Sequence, residues 1–475
     1  MKKKFYLLSL ITFMIFVLSS CSNRITLLFL NWGEYVDESI LEAFEDKYNC
    51  NVSMDLGESN EIFYSKVLAG TTVYDVVCPS DYMVMKMYQK DKIEKIDFSR
   101  LKNYDGATDV REGVLSIRED MIAGTDDNIT DYYVPYLWGT WGIMYDTKED
   151  GLQEAVEGKK ARTDGKNSQW QSLFDRNSLP GGMKVAMYDS HQHAYYAACR
   201  YLGYDPHQEL ETSKLNEIKK LVKEMKYNSW GTDLIKKNIV AGNLDLGFMW
   251  TGDFLYYYAE QAADRVIRAY LDGKITADEV GDMIAEITDS NDRVYKDLNK
   301  YEIGFDIFIP DDTIAFCDNL VVVKDKSRSS AKEDLIYKFI DFMCSSEGIK
   351  IREDIPDDSE DAEDNIVYPA NTNTQFVCYD TPFESIYDEI LGLKDSEETL
   401  DYLSEKALED LKKTAKSSDP DSYNDSDPYW AAYNSVLAIA FEKYYPKNGK
   451  VGSILGCFDR HYVNEINTTF NNARA

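Results

Sequence analysis

Residues 25–32 read ITLLFLNW, and this almost wholly apolar run predicts a strand that is buried on both faces of a sheet. Apolar side chains at helical spacing over 36–48 predict that a helix comes next. A strand at 52–56, a helix at about 60–69 and a strand at 74–78 follow. Because strands and helices alternate, we expect an α/β fold with a mainly parallel sheet.

The chain beyond residue 180 shows the same alternation, and 475 residues are enough for two lobes. Two helical segments look like insertions, at about 262–298 and 383–428. The first contains Thr276 and Glu279 at the spacing of a capping box. The second ends in a loop rich in Ser, Asp, Pro and Asn. Strands are expected at 183–187, 244–250, 301–310 and 316–323, and helices at 193–202 and 215–225.

The N-terminus predicts export and lipidation. Three lysines at 2–4 precede an apolar run of about 14 residues, whereas a membrane-spanning helix needs roughly 20. Residues 1–20 therefore have the layout of a signal peptide, and the small residues before Cys21 resemble a bacterial lipobox. We expect lipidation at Cys21 and a location in the cell envelope, either on the outer face of the cytoplasmic membrane or in the periplasm. The alternative is a plain secretory signal in which Cys21 is incidental.

Charge and cysteine content narrow the classes of partner. The net charge of −32 disfavours nucleic acid and attracts cations, although an acidic surface also serves plain solubility. With four histidines and no C-x-x-C motif, no structural metal and no cofactor are expected. The acidic run 357–364 fits no calcium loop and is expected to be solvated. The seven cysteines after Cys21 are odd in number and are expected to be small buried hydrophobic residues and not a disulfide framework: Cys50, Cys78, Cys199, Cys317, Cys344, Cys378 and Cys457.

Aromatic and acidic residues recur where the expected strands end. Ligands of open α/β sheets bind beyond the carboxyl ends of the strands. Aromatic walls with carboxylates at intervals suit an apolar chain that carries ammonium groups, because rings attract cations and carboxylates accept charge-assisted hydrogen bonds. Core packing is the alternative for any single ring. The residues at strand ends are Trp32, Glu34, Tyr35, Ser80, Asp81, Tyr82, Asp189, Ser190, His193, Trp250, Asp253, Phe316 and Asp318.

Six short sequence segments, which occur in the same order along the chain, resemble the bacterial periplasmic spermidine/putrescine-binding proteins of ABC importers. The resemblance covers about 25–350 apart from the first insertion. It implies a two-lobed periplasmic-binding-protein fold with a ligand cleft between the lobes. The implied lobes are 25–134 with 316–371, and 135–315 with 372–475. The six matching segments are NWGEY at 31–35, ESNE at 58–61, YDVVCPS-x-Y at 74–82, VPYLWG at 134–139, LGY at 202–204 and LGFMW at 246–250.

The resemblance also implies roles for single residues. Glu34 and Asp318 would hold ammonium groups, and Ser80 would add a hydrogen bond. Asn448 would supply a polar amide, and Tyr368 would close the cleft. The aromatic box would consist of Trp32, Tyr35, Tyr82, Trp250 and Phe316.

The sequence departs from that family in its second lobe. The polyamine binders carry two acids three residues apart at the start of a helix, where this chain has Ser190 and His193. Asp189 directly precedes Ser190, so that it lies one residue before the first of these two acidic positions. If the His193 ring faces the cleft with an ordinary pKa near about 6.5, binding of a cation is expected to weaken as the pH falls through that value. Exposed helix surface is the alternative for His193.

The sequence thus predicts a monomeric, lipid-anchored protein that binds a polyamine and passes it to an ABC permease and its ATPase. No enzymatic activity is expected. One alternative is the same fold with a different small cationic or amino compound. Another is a secreted hydrolase that uses Glu34 and Asp318, although the sequence gives no sign of an acid with a raised pKa.

Overall fold

The computed structural model describes residues 24–33, 35–36, 38–104, 110, 112–158, 162–232, 234–288, 303–345, 402–415, 423, 426–444 and 452–474. Its strands form one continuous sheet in the order β2-β1-β3-β9-β4-β7-β5-β6, and β8 pairs with β4. The nine strands are β1 (Thr26–Asn31), β2 (Asn51–Leu56), β3 (Val76–Val77), β4 (Val134–Asp146), β5 (Val185–Tyr188), β6 (Ser229–Gly231), β7 (Leu246–Trp250), β8 (Phe305–Phe308) and β9 (Ala315–Val322).

Helices separate most of these strands and cover the sheet. They are α1 (Glu38–Tyr48), α2 (Asn60–Ala69), α3 (Asp81–Gln89), α4 (Glu112–Ala123), α5 (Leu152–Val156), α6 (Gln171–Phe174), α7 (His191–Leu202), α8 (Thr212–Met225), α9 (Leu234–Val240), α10 (Thr251–Leu271), α11 (Val280–Thr288), α12 (Ser330–Met343), α13 (Glu405–Thr414), α14 (Asp427–Tyr444) and α15 (Arg460–Arg474). Within the described part of the chain, no helix is long and apolar enough to cross a membrane.

The two sides of the sheet are joined by two long strands. On one side, called the β1 side here, β1 pairs in parallel with β2 and β3. On the other, the β5 side, β5 pairs in parallel with β6 and β7. Strand β4, buried along its whole length, pairs antiparallel with β9 through its first half and with β7 and β8 through its second. Strand β9 reaches back to β3. The parallel pairings thus flank an antiparallel centre.

The predicted elements are found close to their expected bounds, with two differences. Strand β3 is only two residues long. The apolar positions from 251 onward form one helix, α10, so that the predicted insertion begins inside a helix that also lines the sheet. The capping box of Thr276 and Glu279 is confirmed. The boundaries of the two lobes remain a prediction.

The two predicted insertions contact each other. Helix α10 packs along α14, and α11 and α13 pack on the same helix. Val266, Ile267 and Tyr270 of α10 are buried there, and the Tyr270 hydroxyl donates to Glu409 at 2.8 Å. Apolar burial therefore unites the two segments in one helical layer. Of the second segment, residues 383–401, 416–422 and 424–425 lie outside the described residues, as does the acidic run 357–364.

The described cysteines behave as predicted. Six are unbonded, and all of these except the half-buried Cys457 are buried. Cys21 and Cys378 lie outside the described residues. Burial raises the pKa of the Cys78 and Cys317 thiols, which keeps them protonated. These two side chains belong to the packed sheet, where they act as small apolar groups.

Candidate functional site

A cavity of about 480 Å³ opens at the strand ends between the β1 side and the β5 side. It brings together all the predicted site residues that the structure describes. Glu34, Tyr368, Asn448 and the lipidation site Cys21 lie outside the described residues. The predicted residues that line it are Trp32, Tyr35, Ser80, Asp81, Tyr82, Asp189, Ser190, His193, Trp250, Asp253, Phe316 and Asp318.

Asp318 on β9 is the acidic centre of the cavity. Its carboxylate accepts hydrogen bonds from the Tyr35 hydroxyl at 2.6 Å and the Ser80 hydroxyl at 2.5 Å. Asn60 holds Ser80 in place through two bonds of 2.9 Å. Burial raises the pKa of Asp318 to about 6, and the bonds from Ser80 and Tyr35 act in the opposite direction. Asp318 is therefore ionised at neutral pH and places a negative charge in a poorly hydrated site.

Asp81 lines the cavity, with its carboxyl group bonded to the backbone. Its side chain is 1% exposed and accepts the backbone N–H of Cys317 at 2.9 Å and that of Tyr82 at 2.6 Å. Burial raises its pKa to about 8, so that the carboxyl group is neutral at physiological pH. Asp81 thus lines the cavity but ties the start of α3 to β9, and it supplies no countercharge at neutral pH.

Aromatic side chains form the walls of the cavity. The ring centroid of Trp250 lies 4.5 Å from that of Phe316, edge to face, and 4.2 Å from that of Trp141. The Trp250 indole N–H donates to the Tyr188 hydroxyl at 3.3 Å. On the β1 side, Trp32 packs 4.5 Å from Phe63. Because each ring is braced by a neighbour, the walls are formed before a ligand enters.

His193 lines the cavity but cannot act as the predicted pH switch. Its Nδ1 atom lies 2.7 Å from the Ser190 hydroxyl, and its ring packs 4.3 Å from Trp141. Burial against these rings lowers its pKa to about 3. The imidazole is therefore neutral throughout the range between about pH 5.5 and 8. The predicted titration near neutral pH was wrong because the sequence did not reveal the tryptophan that covers the ring.

Two of the predicted countercharges are already paired within the protein. Asp189 accepts from Arg474 at 2.6 Å, and Asp253 pairs with Lys236 at 2.9 Å. Arg474 lies at the other end of the chain, and nothing in the sequence distinguishes Lys236 from a surface lysine. These two carboxylates do not replace the acidic pair that the sequence lacks.

Several lining residues were not predicted to belong to the site. Glu58 and Glu61 belong to the segment ESNE, which resembles the polyamine-binding proteins, but the sequence did not predict that they line the site. Glu61 accepts from the Tyr82 hydroxyl at 3.3 Å and from the Gln192 amide at 3.2 Å. The bond to Gln192 joins α2 to α7 and so links the β1 side to the β5 side at the rim. The unpredicted lining residues are Gly33, Glu58, Ser59, Asn60, Glu61, Tyr188, Thr232, Lys236, Ile314 and Leu455.

The chemistry of the cavity suits a positively charged organic ligand. An ionised carboxylate lies among rings whose faces attract cations. Acidic side chains at Glu58 and Glu61 add to the negative potential of the β1 side. In the described portion of the chain, no three His, Cys, Asp or Glu side chains are arranged to hold a metal ion.

A family model described as hypothetical lipoprotein (MG045 family) matches residues 1–154. The match includes the predicted signal segment and Cys21. It supports the prediction of a lipid-anchored protein in the cell envelope.

Curated relatives are similar over about half of the chain. The spermidine/putrescine-binding periplasmic protein of Escherichia coli (strain K12) is 30% identical over 233 residues, which cover 48% of this chain and 59% of that protein. The putrescine-binding periplasmic protein SpuD of Pseudomonas aeruginosa (strain UCBPP-PA14) is 27% identical over 264 residues, or 54% of this chain and 67% of that protein. The chain thus spans less than two thirds of the length of the E. coli relative.

Solved structures share the fold over nearly the whole chain. The Tp0655 (TpPotD) lipoprotein of Treponema pallidum gives a TM-score of 0.51 at 20% identity, with coverage of 94% of this chain and 99% of that one. The spermidine/putrescine ABC transporter substrate-binding protein PotD of Streptococcus pneumoniae gives 0.50 at 18% identity, with coverage of 95% and 98%. The chain therefore has the α/β fold of the periplasmic substrate-binding proteins, and its sequence is similar to those named for spermidine and putrescine.

Proposed function

We propose that this protein is the lipid-anchored substrate-binding component of an ABC importer, and that it captures a small cationic amine of the polyamine class. A permease and its ATPase would receive the ligand. The observation that carries the proposal is the ionised Asp318, held by Tyr35 and Ser80 inside an aromatic cavity. The fold and the similarity to spermidine/putrescine-binding proteins support it.

The ligand would be held by two complementary interactions. An ammonium group donates charge-assisted hydrogen bonds to Asp318, and its charge offsets the cost of the buried carboxylate. The methylene chain next to that group packs on the rings of Trp250, Phe316 and Trp32. The altered acidic pair at Ser190 and His193 leaves open a different small amino compound in the same site.

A hydrolytic function is the less favoured alternative. The raised pKa of Asp318 is a property that the sequence did not reveal, and such a group can serve as a general acid. However, the Asp318 oxygens already accept hydrogen bonds from Tyr35 and Ser80. Among the described residues, the other acid buried in the cavity wall is Asp81, and its carboxyl group is bonded to the backbone. We therefore propose that the protein is not an enzyme. Turnover of any member of a glycoside panel would contradict this.

A thermal-shift screen tests the proposed function. The purified protein without its lipid is screened against putrescine, spermidine, monoamines, amino acids and thiamine-like cations. A ligand at 100 times its dissociation constant should stabilise the protein by roughly 2.7 kcal/mol. Stabilisation by amines and not by uncharged analogues of the same length is expected. Stabilisation by none of the amines would contradict the proposal.

Replacing Cys21 with serine should prevent lipidation. We expect the variant to accumulate as the unprocessed precursor or to be released from membranes, because the thioether-linked lipid would be missing. Fractionation followed by immunoblotting measures this, with Cys50→Ser as a control that leaves the lipobox intact. A processed Cys21→Ser protein found entirely with membranes would place the anchor elsewhere.

Amine affinity should depend on pH through Asp318 and not through His193. The folded pKa of Asp318, about 6, lies above the ordinary value of 3.8, so that a proton competes with the ligand below pH 6. Affinity at pH 5 is expected to be about tenfold lower than at pH 7.5, and binding at pH 5 should release a proton. Calorimetry in buffers of different ionisation enthalpy measures both quantities. A His193→Gln variant should keep the same profile, and loss of the profile in that variant would contradict this assignment.

A further inference from the structure

The cavity contains an ammonium group of the protein itself. Lys236 on α9 lines the cavity and pairs with Asp253 on the first turn of α10 at 2.9 Å. Only 14% of the Lys236 side chain and 20% of the Asp253 side chain are exposed. Lys237, the next residue on the same helix, is exposed and does not line the cavity. Lys236 thus faces the cavity, whereas the neighbouring lysine on the same helix does not.

Charge is distributed unevenly between the two sides of the cavity. On the β5 side, both carboxylates have a cationic partner, because Asp189 pairs with Arg474 and Asp253 with Lys236. On the β1 side, the acids are Asp318, Glu58, Glu61 and the protonated Asp81, and none of them forms an ion pair with a lysine or arginine of the described residues. The cavity therefore has one acidic end and one end that the protein has neutralised.

We infer that Lys236 is a specificity-determining residue that makes the cavity select short amines with their charge at the Asp318 end. The inference rests on the proposed function and narrows its ligand class. An extended polyamine carries an ammonium group at each end and one between them. The group that reaches the β5 side would meet Asp253 with its charge already neutralised by Lys236, so that it would lose its hydration without gaining a countercharge. A site that offers a competing ligand no partner for a desolvated charge discriminates against it.

Three probes of increasing charge test the inference by calorimetry at pH 7.5. They are 4-aminobutan-1-ol with one ammonium group, putrescine with two at nearly the same length, and spermidine with three. The wild-type protein is expected to bind the two shorter compounds at least tenfold more tightly than spermidine. Tightest binding of spermidine would overturn the inference and leave the proposed function intact.

A matched pair of variants isolates the lysine. Lys236→Met keeps the aliphatic stem and removes the positive charge that a second ammonium group would meet beside Asp253. Affinity for spermidine should rise about tenfold relative to 4-aminobutan-1-ol. The control Lys237→Met should change neither affinity. In the double variant Lys236→Met with Asp253→Asn, the gain for spermidine should be lost because the carboxylate is gone.

Folding is checked by circular dichroism and thermal melting, and Lys236→Gln serves as a second variant that retains a hydrogen-bond donor. An unchanged ratio of the two affinities in folded Lys236→Met and Lys236→Gln proteins would overturn the role of Lys236. Binding of no amine by the wild-type protein would instead overturn the proposed function, and the inference with it. The two failures are therefore distinguished by the wild-type measurement alone.

Discussion

Replacing Asp318 with asparagine is expected to lower the affinity for an amine about a hundredfold while stabilising the ligand-free protein. The carboxylate is 4% exposed, and an ammonium ligand would lose its charge-assisted partner in a desolvated site. In the absence of ligand, the same carboxylate is a buried charge without a cationic partner among the described residues. Asparagine has a similar shape and removes that charge.

The sign of the stability effect follows from the pKa of Asp318. The folded value of about 6 exceeds the ordinary 3.8, so the unfolded chain loses its proton first and stability falls as the pH rises from about 4 to 6. Two pKa units correspond to about 3 kcal/mol. The ligand-free Asp318→Asn protein should therefore melt at a higher temperature than wild type at pH 7.5, with little difference at pH 4.

Calorimetric titration and thermal melting measure the two effects on one preparation. Glu58→Gln serves as the matched control, because Glu58 is an exposed acid at the same cavity and should affect affinity by less than about tenfold. A decrease in melting temperature at pH 7.5 would contradict the description of Asp318 as a buried charge that costs stability. Unchanged affinity would mean that Asp318 does not face the ligand.

Replacing Trp250 with alanine is expected to weaken amine binding about thirtyfold. Its ring contacts Phe316 and Trp141 and forms a wall of the cavity, and loss of such a ring at a binding site typically costs at least about 2 kcal/mol. Binding is measured by calorimetry, and folding by near-ultraviolet circular dichroism. The protein is expected to remain folded because Trp250 is only partly buried.

Trp430→Ala provides the control for loss of an indole elsewhere. Trp430 lies on α14, is partly buried and does not line the cavity. Its replacement should lower stability without changing amine affinity. If the Trp250→Ala protein is unfolded while Trp430→Ala is not, Trp250 is a core residue and the cavity wall has been assigned to the wrong ring.

The residues at strand ends could be predicted because local patterns carry the necessary information. An apolar run such as 25–32 indicates a buried strand, and in an open α/β sheet the side chains just beyond its carboxyl end face the ligand. Trp32 and Trp250 were found in the cavity for this reason, whereas Asp318 lies within β9 and lines the cavity from inside the sheet. The same rule identified Asp81 and His193 by position, but it could not give their protonation states. Those depend on packing against Cys317 and Trp141, which lie far away in the chain.

The pairing of long strands and of distant charges could not be predicted. Strand β4 is apolar on both faces, and nothing local shows that it runs antiparallel to β9 and β7. Likewise, Asp189 meets Arg474 only because α15 packs on α7 and α8. Lys236 and Asp253 lie on successive helices separated by β7, so their ion pair depends on how those helices turn about the strand.

The return of β9 to β3 has a consequence for how the chain is made. The bond between Ser80 and Asp318 joins residues 238 positions apart, and β3 pairs with β9 over a similar separation. Contacts between such distant residues form late, because a long loop must close first. They therefore lower the rate of folding. The β1 side cannot complete its sheet until most of the chain has been synthesised. This delay suits a polypeptide that passes through a secretion channel in an unfolded state, as the proposed export of this protein requires.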